Sequence, residues 1–147
     1  MPPWDVACYN CGRWRQRRQA WHCNCSDKLT GGRRMVKEMV LVKRKPGLSR
    51  EEFIRQYEEV MAPLMLKHCP GIKKYARNYV RTKLMAPPGM EELEFDCITE
   101  VWYESKEAFK AFAEFAMSDQ GKVIFDTEET FMDTSKTIAV LMEEKVT

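Results

Sequence analysis

One local pattern occurs twice in this chain of 147 residues: an apolar, β-rich run, then a serine, then an amphipathic stretch. In the first copy, Met39-Val40-Leu41-Val42-Lys43-Arg44-Lys45 ends at the turn signal Pro46-Gly47 and reads as a strand. Ser49-Arg50-Glu51-Glu52 then fits a capping box, in which the Ser hydroxyl takes the N3 amide and the N3 Glu reaches back to the cap. Phe53, Tyr57, Val60 or Met61, and Leu64 follow at helical steps and share one apolar face. Pro63 predicts a kink in that helix, and Pro70-Gly71 predicts its end. The second copy starts with Phe95 to Tyr103, whose two-residue period sets Asp96, Ile98, Glu100 and Trp102 against Phe95, Cys97, Thr99, Val101 and Tyr103. Ser105 caps its helix, and Ala108, Phe109, Phe112, Phe115 and Ala116 form an aromatic stripe expected in the core.

Between the copies, Ile72 to Arg81 reads as a strand with Tyr75, Arg77, Tyr79 and Arg81 on one face and Ala76, Asn78 and Val80 on the other. Thr82 to Glu94, centred on Pro87-Pro88-Gly89, reads as a long loop lying over a site. Ser118-Asp119-Gln120-Gly121 breaks the second helix, Val123 to Thr130 gives a short helical piece, and a last strand runs from about Lys136 to Glu144. Strand, helix, strand, strand, helix, strand is the order of an α+β ferredoxin-like sandwich, βαββαβ, with helices on one face of an antiparallel sheet. The other face then carries Ile98, Trp102 and Val140 or Leu141, a patch most simply covered by a second copy of the same sheet.

Charge sets the domain boundary. Residues 1–34 carry seven bases against two acids, whereas the rest carries 17 bases against 20 acids, so the near-neutral total hides a basic head and a mildly acidic body. The head, expected to be a disordered or non-native extension, joins a body of residues 35–147 near Gly31-Gly32. Charged residues interrupt every apolar stretch, which excludes a membrane-spanning helix. Met1 to Cys8 holds Asp5 and no apolar core of a secretory signal, so a cytoplasmic location with reduced cysteines is expected.

Several side chains have the chemistry of a site. Asp96 and Glu100 share a strand face, and if that face lines a pocket, desolvation raises the pKa of at least one of them towards neutrality. His68, at the end of the first helix, is the body's one imidazole and a natural general base, or else a solvated residue complementing the helix dipole. Tyr57, Tyr75, Tyr79 and Asn78 can stabilise an oxyanion by hydrogen bonding. Lys43 can pair with a substrate carboxylate. Asp133 reads as a structural turn residue, and Cys69 and Cys97 as small apolar residues. In the head, Cys8, Cys11, Cys23 and Cys25, with His22, offer zinc ligands at imperfect spacing beside Trp14, Trp21 and a run of arginines, which sets out a zinc-stabilised nucleic-acid adaptor as an outlying reading. Only His22 and His68 are available as axial His ligands of a haem, and no Gly-rich fingerprint supports flavin or nicotinamide, so no cofactor is expected.

Lys43-Arg44-Lys45-Pro46-Gly47-Leu48-Ser49-Arg50-Glu51-Glu52-Phe53, Ala62-Pro63-Leu64, Pro70-Gly71-Ile72-Lys73-Lys74-Tyr75, Phe95-Asp96 with Glu100-Val101-Trp102, and Phe131-Met132-Asp133 together resemble the EthD family of dimeric α+β barrel proteins, over about Val36 to Lys145. The resemblance implies a homodimer joined through the open sheet face, with a mostly apolar pocket between sheet and helices in each protomer. It also implies cofactor-independent lyase, cyclase, decarboxylase or isomerase chemistry on a hydrophobic aromatic or polyketide-like substrate. Asp96, Glu100, His68 and Tyr75 are then the expected catalytic groups, and Lys43, Tyr57, Met61, Asn78 and Trp102 the expected substrate contacts. Met61 stands where many such sequences carry His, and a thioether cannot move a proton. That departure motivates the alternative of a non-catalytic binding or accessory protein.

Overall fold

The computed structural model describes residues 34–90, 94–145 and 147. Strands β1 (Val36–Val42), β2 (Ile72–Tyr79), β3 (Cys97–Tyr103) and β4 (Ile138–Met142) pair antiparallel in the order β2-β3-β1-β4. With helices α1 (Arg50–Gln56), α2 (Ala62–His68), α3 (Lys106–Ala116) and α4 (Lys122–Phe131), this is the expected ferredoxin-like α+β fold. The short piece before the last strand is a full helix of ten residues. The expected extension, including Cys8, Cys11, Cys23 and Cys25, lies outside the described residues apart from Arg34. None of the described helices is long and apolar enough to cross a membrane.

The kink expected at Pro63 takes the form of a π-helical turn, Tyr57–Met61, that joins α1 to α2. Proline has no N–H to donate and its ring crowds the carbonyl four residues back. The wider turn, in which the Ala62 N–H donates to the Tyr57 carbonyl, gives that ring room. Phe53, Tyr57, Met61 and Met65 all point into the core, where Phe53 meets Tyr57, Tyr79 and Phe131 edge-on or tilted, with ring centroids 5.7–6.1 Å apart. Val60, the other candidate for that stripe, is half exposed.

Both serine caps form. Ser49 Oγ accepts the Glu52 amide at 3.1 Å, and Ser105 Oγ accepts the Ala108 amide at 3.1 Å. The return half of the first capping box is diverted, because the Glu52 carboxylate instead holds Arg55 and Gln56 one turn on. Replacing Ser105 by Ala is expected to cost about 1 kcal/mol, the usual value of an N-cap. Urea unfolding of the variant checks this, and an unchanged midpoint would remove the cap from the account.

Register divides the sheet's side chains between two faces. Val36, Glu38, Val40 and Val42 of β1 face the helices, as do Cys97, Thr99, Val101 and Tyr103 of β3 and Tyr75, Arg77 and Tyr79 of β2. The opposite face carries Lys37, Met39 and Leu41, then Ile98, Glu100 and Trp102, then Ile138, Val140 and Met142. The choice between Val140 and Leu141 is thereby resolved: Val140 pairs with Met39 on the open face, and Leu141 pairs with Glu38 on the other. β1 starts three residues earlier than its apolar run suggests, which brings Glu38 into the sheet.

Candidate functional site

The residues singled out in the sequence fall into three separate places. Asp96 closes the end of the β1–β3 ladder. Its Oδ2 accepts the Arg44 amide at 2.9 Å and lies 3.4 Å from Lys43 Nζ, while Arg44 Nε is 3.6 Å from Oδ1. Lys43 is thus ion-paired within the fold, where a substrate carboxylate had been expected as its partner. Glu100 lies on the open face, away from the helices, with Lys37 Nζ at 3.6 Å, Lys74 Nζ at 3.5 Å and the Trp102 indole N–H donating at 3.4 Å. Trp102 is flanked by the same two ammonium groups, at 4.7 and 5.7 Å from its ring centre.

This placement corrects the expected carboxylate pair. The indole hydrogen bond, with the two lysines, holds the Glu100 carboxyl below its ordinary range, so it stays ionised at neutral pH instead of being raised towards it. Neither Asp96 nor Glu100 faces the helices. Asn78 is also on the open face, where its amide donates to the Ile98 carbonyl at 2.9 Å. His68 stacks flat on Phe115, with centroids 4.9 Å apart, and ties α2 to α3. Met61 is sealed in the core at 2% exposure, Asp133 binds Ser135 in a local turn, and Cys69 and Cys97 are buried thiols pushed up to about 11 by burial.

Tyr57 and Tyr75 remain, and they lie on the helix side of the sheet among polar groups that the sequence reading passed over. The Tyr57 hydroxyl is 2.7 Å from Thr99 Oγ1, which in turn is 3.5 Å from Cys97 Sγ, and Tyr75 lies close enough to interact with it electrostatically. On β3, the Tyr103 hydroxyl donates to Glu38 Oε2 at 2.8 Å. From α4, Glu128 shares a face with Ile124 and Phe131, four residues before it and three after, which turns its carboxyl towards the sheet. Burial, with the Glu38 charge nearby, pushes the Glu128 carboxyl up to about 7. Burial also raises Glu38, which the Tyr103 hydrogen bond partly restrains, and raises Tyr57, Tyr75 and Tyr103 above the ordinary phenol range. At neutral pH the tyrosines are therefore hydroxyl donors, and Glu128 is present in both protonation states.

Tyr57, Thr99, Cys97 and Tyr103 of this row are sealed at 2% exposure or less, whereas Glu38, Tyr75 and Glu128 are partly exposed. The inner stripe of α3 has the same character: it contains no fully buried residue, and Phe109, Phe112 and Phe115 are each only partly covered. A separate surface groove of about 440 Å³, lined by Arg55, Gln56, Val60, Asp126, Thr127 and Thr130, contains none of these groups. Among the described residues no cluster of three His, Cys, Asp or Glu side chains is placed to hold a metal ion.

Residues 45–135 match the family model of the EthD domain. Among solved structures, the chain is similar to an EthD family protein from Bacillus halodurans, with 21% identity over 76% of this chain and 100% of that one, at a TM-score of 0.55. It is also similar to a protein from Arabidopsis thaliana, with 16% identity over 76% of this chain and 97% of that one, at a TM-score of 0.54. A dimeric ferredoxin-like protein of unknown function from Jannaschia matches at 12% identity over 75% of this chain and 99% of that one, at a TM-score of 0.52. At these identities the structural likeness speaks for the fold alone.

Proposed function

Because the chain belongs to the EthD domain family, we propose that it is a cytoplasmic, homodimeric enzyme that catalyses proton transfer on a hydrophobic oxygenated compound without a cofactor. Cyclisation, dehydration, decarboxylation and isomerisation of an aromatic or polyketide-like substrate all begin with such a transfer. One arrangement carries the reading: the Glu128 carboxyl, pushed up to about 7 by burial and the Glu38 charge, lies near enough to Tyr75 to act on it, on the side of the sheet where the Tyr57 hydroxyl meets Thr99. Glu128 takes the proton from an acidic C–H and later returns it. The tyrosine hydroxyls donate to the oxygen on which negative charge develops. Burial first, and then the charge of Glu38 held by Tyr103, keep the Glu128 pKa high.

The test is solvent deuterium exchange into 1,3-dicarbonyl probes, followed by proton NMR at pH 7. Exchange above the buffer rate that depends on Glu128 supports the reading. Tight binding with no exchange would favour a binding or accessory protein.

The homodimer rests on the open sheet face, where Leu41 sits between Ile98 and Ile138 in adjacent strands and Met39 pairs with Val140. Leu41→Glu puts a charge at the centre of that face and is expected to convert a dimer of about twice 17.3 kDa to monomer. Light scattering after size exclusion reads this directly. A wild-type monomer, or a variant that stays dimeric, would move the interface elsewhere.

A further inference from the structure

Two large apolar side chains, Leu84 and Met85, are 97% and 92% exposed, more than any other among the described residues. They belong to the loop between β2 and β3, and that loop has a set shape. Lys83 Nζ donates to the Met90 carbonyl across it, the Met90 amide donates to the Pro87 carbonyl at 3.2 Å, and Gly89 makes the turn at φ +88°. A loop stitched in this way holds its apolar tip in water before any partner arrives, so little ordering is left to be done on contact.

The open sheet face offers a matching surface at one end only. At one end Trp102 stands between Lys74 and Lys37, beside Glu100, and these charges are already ion-paired within the protomer. At the other end Ile98, Leu41 and Ile138 lie abreast in adjacent strands. Strand β2 gives way to the loop just after Tyr79, which pairs with Cys97, so the loop springs from the apolar end. Four strands of five to eight residues, about 4.8 Å apart, make a face of roughly 400 Å² in projection. A standard interface takes about 800 Å² from each partner, so two copies held by this face need a further contribution.

We propose that Leu84 and Met85 form an arm that each protomer lays on the apolar end of the open sheet face opposite, over Ile138 of the partner subunit; this rests on the homodimer reading above. A two-fold axis along the strands keeps the apolar ends together. It also sets the β2 edge of one copy above the β4 edge of the other, because β2 and β4 are opposite edges of the sheet. The loop of one copy then meets the start of β4 in the other, where Ile138 is 48% exposed. Leu84 lies five residues beyond Tyr79, a reach of up to about 16 Å, whereas stacked sheets are about 10 Å apart. A lipid surface suits the tip less well. Residues 81–94 carry two bases, Arg81 and Lys83, against three acids, Glu91, Glu92 and Glu94, and anionic headgroups repel such a segment.

Both side chains are already in water, so Leu84→Glu with Met85→Glu leaves the packing of the protomer alone and reads only the interface. Sedimentation velocity of the full chain over a dilution series gives the dimer dissociation constant, which this double variant is expected to raise at least tenfold. Met85→Glu combined with Ile138→Lys should dimerise at least threefold more tightly than the product of the two single losses, since opposite charges then meet across the interface. A rise of less than tenfold overturns the arm, and if Leu41→Glu still gives monomer, the homodimer through the sheet stands without it. Losses at Met85 and Ile138 that simply multiply overturn the seat of the arm, and the proposal with it. A wild type that is monomeric at about 100 μM removes the homodimer and the arm together. Wild-type sedimentation with phosphatidylcholine–phosphatidylserine vesicles, abolished in the double variant at unchanged dimer affinity, would give the tip to a lipid surface and overturn the proposal.

Discussion

Glu128→Gln loses about two orders of magnitude of deuterium exchange and at the same time gains stability above pH 7. The loss is the usual contribution of a positioned general base. The gain follows from the direction of the pKa change. A carboxyl at about 7 in the folded chain and about 4.3 in the unfolded one binds its proton more tightly when folded. Its stabilising effect is complete below pH 4, and it is lost as the pH rises to about 7, where an ionised carboxylate must be held under the protein's cover. Each pKa unit corresponds to about 1.4 kcal/mol, and partial exposure of Glu128 reduces the resulting total to roughly 2 kcal/mol at pH 8. Gln carries no such penalty, so wild type and variant should unfold alike at pH 4 and diverge by pH 8. Urea titrations at the two pH values check this. A variant that loses stability at pH 8 would show that the carboxylate is welcomed by the fold, and Glu128 would no longer fit the role of a neutral-pH base.

Gly121→Ala is expected to cost about 3 kcal/mol and to lower exchange with it. Gly121 has an ordinary backbone angle, φ −74°, so the constraint is space. A Cβ there would run into the carbonyl oxygen of Phe115 and stand 2.6 Å from the Ala116 Cα, both backbone atoms at the end of α3. Backbone of that kind yields little, which places the substitution at the upper end of overpacking costs. Relief comes by moving α4, and Glu128 moves with it. Gly47 provides the contrast: it has φ +82° and nothing within 4 Å of a Cβ, so Gly47→Ala bears only a left-handed strain of about 1 kcal/mol. Thermal melts of the two variants compare them, and equal losses would mean that α3 and α4 adjust freely at their junction.

The fold was legible because its signals are local. Ser49 and Ser105 mark helix starts, and the alternation in Phe95 to Tyr103 assigns faces without reference to any partner strand. The site was legible only in part. Tyr57 and Tyr75 stood out by type, whereas Asp96 and Glu100 were offered to a pocket although they share the strand face of Ile98 and Trp102, and the choice lay between that face as pocket lining and as open sheet. That choice depends on Cys97 and Thr99 meeting Tyr57, a contact across 42 positions. Glu38 and Glu128 did carry signals. Glu38 lies in phase with Val36, Val40 and Val42, and Glu128 in phase with Ile124 and Phe131, so each is a carboxyl set within an otherwise apolar face. Starting the first strand at Met39 cut Glu38 off from that pattern, and treating Val123 to Thr130 as a short piece did the same for Glu128.

The π-helical turn makes the spacing along the first helical segment informative. Phe53, Tyr57, Met61 and Met65 are all buried and recur at intervals of four. In an unbroken α-helix each step of four overshoots a full turn by about 40°, so the fourth side chain would be rotated about 120° from the first. Five residues wound more loosely take up most of that excess and keep the row in phase with the sheet. The segment therefore works as a phase corrector, and its length is counted in whole residues. Deleting one residue between 57 and 61 would restore regular winding with Met65 eleven positions from Phe53, three turns and about 20°, so both ends of the row stay seated and the extra residue is what the wide turn absorbs. A strict period of four running up to a proline is thus a pattern by which such a turn can be recognised in a sequence.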